Sequence, residues 1–191
     1  MSPILGIWAS AQQNANVPNS YESISTVTVG SGGSSSIAFA SIPSTYTHLQ
    51  IRGIARSSTS ASSIVPIYAQ INSTSVNHTS HFMYGDGASV TATNALNANL
   101  IYLGYIGQNT TTASTYGASV IDVLDYANTN KYKTFRTLSG VDLNGSGRVG
   151  LFSGFLYSNT NAISNITLYA NAGGDTFAQY SSFALYGIKG V

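Results

Sequence analysis

The sequence predicts an all-β protein, a jelly-roll-like antiparallel β-sandwich with an extended N-terminal arm. Three observations carry this. Apolar residues recur with period two in short runs, as in a strand with one face on a core and one on solvent. The runs are broken by clusters such as Gly30-Ser31-Gly32-Gly33-Ser34 and Asn144-Gly145, which are turn chemistry. No window carries the i, i+3, i+4, i+7 spacing of a capped amphipathic helix. About ten such runs in one chain of 191 residues suit a jelly roll better than an immunoglobulin sandwich. The absence of an internal repeat argues against a propeller or solenoid.

The elements follow in order. Residues 1–20 read as an arm, with an apolar patch of Ile4, Leu5, Ile7 and Trp8 followed by Gln12-Gln13-Asn14-Ala15-Asn16 and Pro18. Exposed alone, those four side chains are unfavourable at ~25 cal/mol per Å², so they are expected to dock, either on their own domain or on a neighbouring subunit. Residues 21–191 form the sandwich. Tyr21–Val29 alternates cleanly, Ile37 and Phe39 line one face of the next strand, and Tyr46–Arg56 sets Leu49 and Ile51 against His48, Gln50 and Arg52. Ile54 falls out of step after Gly53, which predicts a bulge at Gly53. Further strands are expected at Val65–Ile71, Asn99–Ile106, Ala118–Tyr126, Tyr132–Leu138, Val149–Tyr157, Ile163–Ala170 and Ser181–Ile188, with one turn of helix at Asn94–Leu100.

Two of these segments are apolar on both faces. In Ala118–Tyr126, Val120 and Leu124 oppose Ile121 and Val123. In Val149–Tyr157, Leu151 and Phe155 oppose Phe152 and Leu156. A strand facing water on one side alternates, so a two-sided strand is expected to be covered twice, by the core and by a loop, the N-terminal arm or another subunit, of which another subunit is preferred. Val120, Ile121, Val123, Leu124, Phe152 and Leu156 are therefore the candidate interface residues, and Ile4, Leu5, Ile7 and Trp8 the assembly arm.

Composition narrows function. Charged residues are only 7% of the chain, with Lys plus Arg 7, Asp plus Glu 6, and Glu22 the single glutamate. The polar surface is then mostly hydroxyls, amides and 13 tyrosines, with little repulsion between copies. A net charge of +1 without a basic cluster argues against duplex nucleic acid. No cysteine is present, which removes disulfides, thiolate metal sites and cysteine nucleophiles. The opening Met1–Ser10 lacks the basic leader and apolar length of a signal peptide, and no segment is long enough to insert in a membrane.

The candidate chemistry is thin. His78 and His81 stand at i, i+3, which on a strand faces them apart, and zinc needs three or four ligands. Asp142-Leu143-Asn144-Gly145 opens like a calcium loop, but position 12 is Ser153, and a hairpin turn explains Asn144-Gly145 more simply. Asp122 and Asp125 also face apart on a strand and make no acid–base dyad, while Asp125 is expected to pair with Lys131 or Lys133 across a hairpin. No nucleophile elbow, phosphate loop or dinucleotide fingerprint is present. No catalytic, cofactor or metal site is expected.

Several strings carry a resemblance. They are Ile4-Leu5-Gly6-Ile7-Trp8-Ala9-Ser10, Tyr21-Glu22-Ser23-Ile24 through Ser41–Arg52, the hairpin Ile121–Thr134, and the close Tyr180–Gly190. Through them the chain resembles small virion structural proteins of tailed bacteriophages, nearly end to end, with Ser57–Thr93 matching least. The resemblance implies a non-enzymatic structural protein on the particle surface, as a tail or fibre component or a capsid decoration protein. The expected partners are other copies of itself in a homotrimer, other virion proteins and host surface glycans. The rival readings are a glycan-binding receptor module and a glycan depolymerase; the latter needs two placed carboxylates in a chain with six acids.

Overall fold

Among the described residues, alternation along the chain becomes twelve antiparallel strands in two packed sheets. In this computed structural model the described residues are 20–58, 63–74, 77–109, 111–156 and 160–189. The strands are β1 (Tyr21–Thr28), β2 (Ile37–Phe39), β3 (His48–Ala55), β4 (Ile64–Ile71), β5 (His78–Gly85), β6 (Val90–Ala98), β7 (Ile101–Gly107), β8 (Gly117–Leu124), β9 (Lys133–Asp142), β10 (Gly147–Leu156), β11 (Ile166–Ala170) and β12 (Ser182–Ile188). The arm, with Ile4, Leu5, Ile7 and Trp8, lies outside the described residues.

The larger sheet has the order β1-β12-β3-β8-β9-β10-β5-β6, and the smaller β2-β11-β4-β7. Setting aside the hairpins β5–β6 and β9–β10 leaves eight strands. Numbered one to eight along the chain, they form one sheet in the order 1-8-3-6 and another in the order 2-7-4-5. That is a jelly roll. The two extra hairpins extend the larger sheet past β8, so its far end overhangs the smaller one.

The core lies between the sheets and follows the parity that the sequence sets. Leu49, Ile51, Ile67, Ile71, Ile121, Val123, Phe135, Ile166, Leu168, Phe183 and Leu185 are fully buried. Where the smaller sheet ends at β7, aromatic rings fill the space under the overhang. Phe82 stacks on Tyr102 with centroids 4.6 Å apart, Tyr102 lies 5.4 Å from Phe152, and Tyr105 meets Phe152 edge-on at 5.4 Å. Long planar side chains suit this region because the facing layer is incomplete there.

Two buried cations hold loops in place with no carboxylate paired to them among the described residues. The Lys133 side chain is fully buried, and its Nζ donates to the carbonyl oxygens of Asn128, Lys131 (2.7 Å) and Thr160 (3.0 Å). Arg56, 4% exposed, donates from Nη1 to Thr112 O (2.8 Å) and Thr115 O (3.3 Å). Its Nη2 donates to Asn109 O (2.8 Å) and Thr111 O (3.3 Å).

Three expectations are corrected. Gly53 carries no bulge, because β3 pairs with β12 and β8 in unbroken register, and Ile54 simply faces outward. The glycine is needed because the Phe183 ring occupies the position a Cβ would take. Gly53→Ala is therefore expected to cost about 1–3 kcal/mol, partly restored by adding Phe183→Leu; equal stabilities by chemical denaturation would remove that account. Asn94–Ala98 belongs to β6 and is not helical, and β5 and β6 add to the expected strands. The turn at Asn144-Gly145 is as expected: both residues have positive φ (60° and 104°) and Leu143 N–H bonds to Ser146 O at 2.7 Å.

Candidate functional site

Parity decides what each strand shows to solvent. On β3, β8, β9 and β12 the even-numbered residues point outward, and on β5 and β10 the odd-numbered ones do. Cross-strand pairing then lines these residues up in rows over the outer face of the larger sheet. One row runs Ala184, Arg52, Val120, Leu138, Leu151, Met83, Ala92. The next runs Ser182, Ile54, Ala118, Gly140, Val149, Gly85, Val90. Together they form an apolar stripe across the sheet. Ile54 is 57% exposed, Leu138 55%, Leu151 54% and Val149 59%. Between Ile54, Val120, Leu138 and Val149, over the small residues Ala118 and Gly140, lies a groove of ≈ 530 Å³.

The row beside the stripe is polar and its Asp122–Arg136 pair is neutralised, while Arg52 is the one charged side chain within the stripe. Arg136 Nη2 donates to Asp122 Oδ2 at 2.9 Å, Gln50 Nε2 to Asp122 Oδ1 at 2.8 Å, and Arg52 Nε to Gln50 Oε1 at 2.7 Å. The Arg52 guanidinium also lies over the Tyr186 ring, 5.4 Å from its centroid. Asp122 is thus committed to an ion pair and an amide, which suits a fixed surface and not proton transfer.

The sequence-predicted interface residues separate accordingly. Val120, 39% exposed, belongs to the stripe, and Leu124 projects from the same face, half-buried. Ile121, Val123 and Phe152 have the opposite parity and are buried in the core between the sheets. The side chain of Leu156 lies outside the described residues. Ile54, Leu138, Val149 and Leu151 were missed as candidates. Leu138 and Leu151 were readable only as the wrong-parity apolar residues of strands whose inner faces were already apolar.

The remaining polar candidates do not converge. His78 is buried on the inner face of β5 while His81 is exposed on the outer face. Asp125 pairs with Lys131 Nζ at 2.7 Å, and that hydrogen bond holds its carboxyl below the usual carboxylate range. His48 Nδ1 accepts the Asp125 backbone N–H at 2.9 Å. Asp142 Oδ1 caps its own turn through Asn144 N–H at 2.9 Å. Among the described residues no group of three His, Asp or Glu side chains is placed to hold a metal ion, and no helix is long and apolar enough to cross a membrane.

No protein-family model and no curated protein matches this chain. The outer-face stripe is therefore weighed on its own geometry. A largely apolar band of this kind lowers its free energy by losing contact with water.

His78 gives the chain a pH dependence. Burial holds its imidazole below the ordinary 6.5, partly offset by the hydrogen bond to Ala98 O. Above that value the side chain is neutral in both states. As pH falls below it the unfolded chain takes up the proton first, so stability drops until the folded-state pKa is reached. Thermal melting between pH 7.5 and 5 is expected to show this loss and His78→Gln to reduce it; parallel profiles for the two proteins would contradict the assignment.

Proposed function

We propose that this chain is a non-enzymatic structural protein on the surface of a tailed-phage particle, assembling with other copies of itself and with other virion proteins. The observation that carries the reading is the apolar stripe across the outer face of the larger sheet, with Ile54, Leu138, Leu151 and Val149 each more than half exposed. A chain with few charges and such a face gains by covering it. The jelly roll adds general support, as an architecture common in viral capsid domains, though fold alone does not determine function. The resemblance of the opening, hairpin and closing strings to phage virion proteins supplies the particle.

The test is direct. Purified particles, quantified by mass spectrometry and labelled with an antibody to this chain, are expected to contain it at fixed stoichiometry. Hundreds of copies would assign it to the head and a few tens to the tail. Its absence from particles would overturn the proposal, and cleavage of host polysaccharide by the purified chain would replace it with the depolymerase reading.

A further inference from the structure

We propose that the groove over Ala118 and Gly140 is filled by the same face of a second copy of this chain, giving a twofold-symmetric pair. The inference rests on the assembly reading above and names the partner of that surface.

Gly140 is the first argument. It sits inside β9 with its missing side chain directed outward, at the floor of the groove. Its φ is not in the left-handed region. A Cβ there would meet nothing nearer than Arg148 O at 3.5 Å and Val149 Cγ2 at 3.7 Å, which is ordinary contact. The subunit's own packing therefore does not require glycine, although glycine within a strand weakens it. Gly53 is the contrast, since its own Phe183 excludes a side chain. A bare strand position with open space above it fits the close approach of another surface.

The second argument is self-complementarity. In a twofold contact the same patch must supply both projections and recess. Here Ile54, Leu138 and Val149 project, each more than half exposed, around a floor of Ala118 and Gly140. The third is size. Two same-face rows, each ~7 Å wide, over seven strands ~4.8 Å apart give the stripe roughly 450 Å², and the flanking polar row must be covered with it to approach the whole face of roughly 900 Å². A stable interface needs about 800 Å² per partner. The fourth is charge. Asp122 is already paired with Arg136 and Gln50, and Arg52, the charge within the stripe, is held by Gln50 Oε1 and the Tyr186 ring, so the face brings no uncompensated carboxylate and one arginine per copy. Sheets packed face to face in this way lie about 10 Å apart. The proposed assembly is a pair, where the expected assembly was a homotrimer.

The experiment uses the full chain. Sedimentation velocity over a concentration series is expected to show a dimer. Leu138→Asp and Gly140→Val, the second filling the groove, are each expected to raise the dissociation constant at least about 30-fold with the circular dichroism spectrum unchanged. Because the chain has no cysteine, Leu138→Cys alone is a clean probe. Leu138 is central in the stripe, and a short bis-maleimide crosslinker is expected to give a covalent dimer across sheets ~10 Å apart; this readout stands even where a groove variant folds poorly. A wild-type monomer at every concentration, or a dimer or trimer indifferent to both variants, would overturn the proposal. So would a Leu138→Cys, Trp8→Cys double variant that links position 138 to position 8, since the arm would then be the occupant. Particle labelling is independent of these outcomes, so a chain found in particles but monomeric in solution would sink the pair and leave the virion role standing.

Discussion

Replacing Lys133 with methionine is expected to destabilise the protein by about 3–5 kcal/mol. Methionine keeps much of the buried stem. It removes the ammonium that gathers the carbonyls of Asn128, Lys131 and Thr160. Three acceptors from two separate segments then lose a charged donor inside the fold, and each unsatisfied group costs roughly 1–3 kcal/mol before water or local movement recovers part of it. Among the described residues no carboxylate pairs with Lys133; Asp125 is engaged by Lys131. Burial lowers the Lys133 pKa, with Asp125 opposing the shift. Lys133→Arg is expected to rescue little, because a planar fork does not match three converging carbonyls that suit a compact ammonium. Chemical denaturation decides it: the midpoint should fall at constant m-value. A loss below about 1 kcal/mol would show that the carbonyls find other partners, and the role assigned to Lys133 would be wrong.

The second large effect is expected at Arg56. Its guanidinium donates to four backbone carbonyls of the β7–β8 connection, those of Asn109, Thr111, Thr112 and Thr115. No carboxylate pairs with it among the described residues, so the loop itself solvates the charge. Arg56→Met is expected to cost about 3–4 kcal/mol. It should also raise amide exchange around residues 109–115 more than in β3 or β8, because the loop loses its anchor before the sheet does. Arg56→Lys should recover only part of the loss, since one ammonium cannot reach four acceptors spread around a plane. Unchanged exchange in that loop would contradict the account.

How far the sequence could be read depended on how much of each strand faced the core. β3 lies inside its sheet of the jelly roll, between β12 and β8, and alternates cleanly. Leu49 and Ile51 were placed by parity alone, and both are fully buried. β5 and β6 were illegible for the opposite reason. They overhang the smaller sheet, so the inner face of β5 carries His78, Ser80, Phe82 and Tyr84, and no aliphatic alternation marks it. Asn94–Ala98 read as helix because an edge strand half out of the core has little pattern to keep. The candidate interface was half legible. Apolar residues on both faces of β8 and β10 signalled a second cover, yet Val120 and Ile121 could not be ranked without knowing which face met the smaller sheet.

By itself the sequence determined the class of fold, the hairpin turn at Asn144-Gly145 and the scarcity of acid–base chemistry, because period two, turn residues and composition are local properties. Only the tertiary structure decided which apolar parity was core and which was surface, that Lys133 turns inward while Lys131 turns out, and that Gly140 lies open beneath a groove. The physical reason is that a strand apolar on both faces reads the same when turned over. Its orientation is set by the sheet that packs against it, and that sheet is assembled from residues far away in the chain.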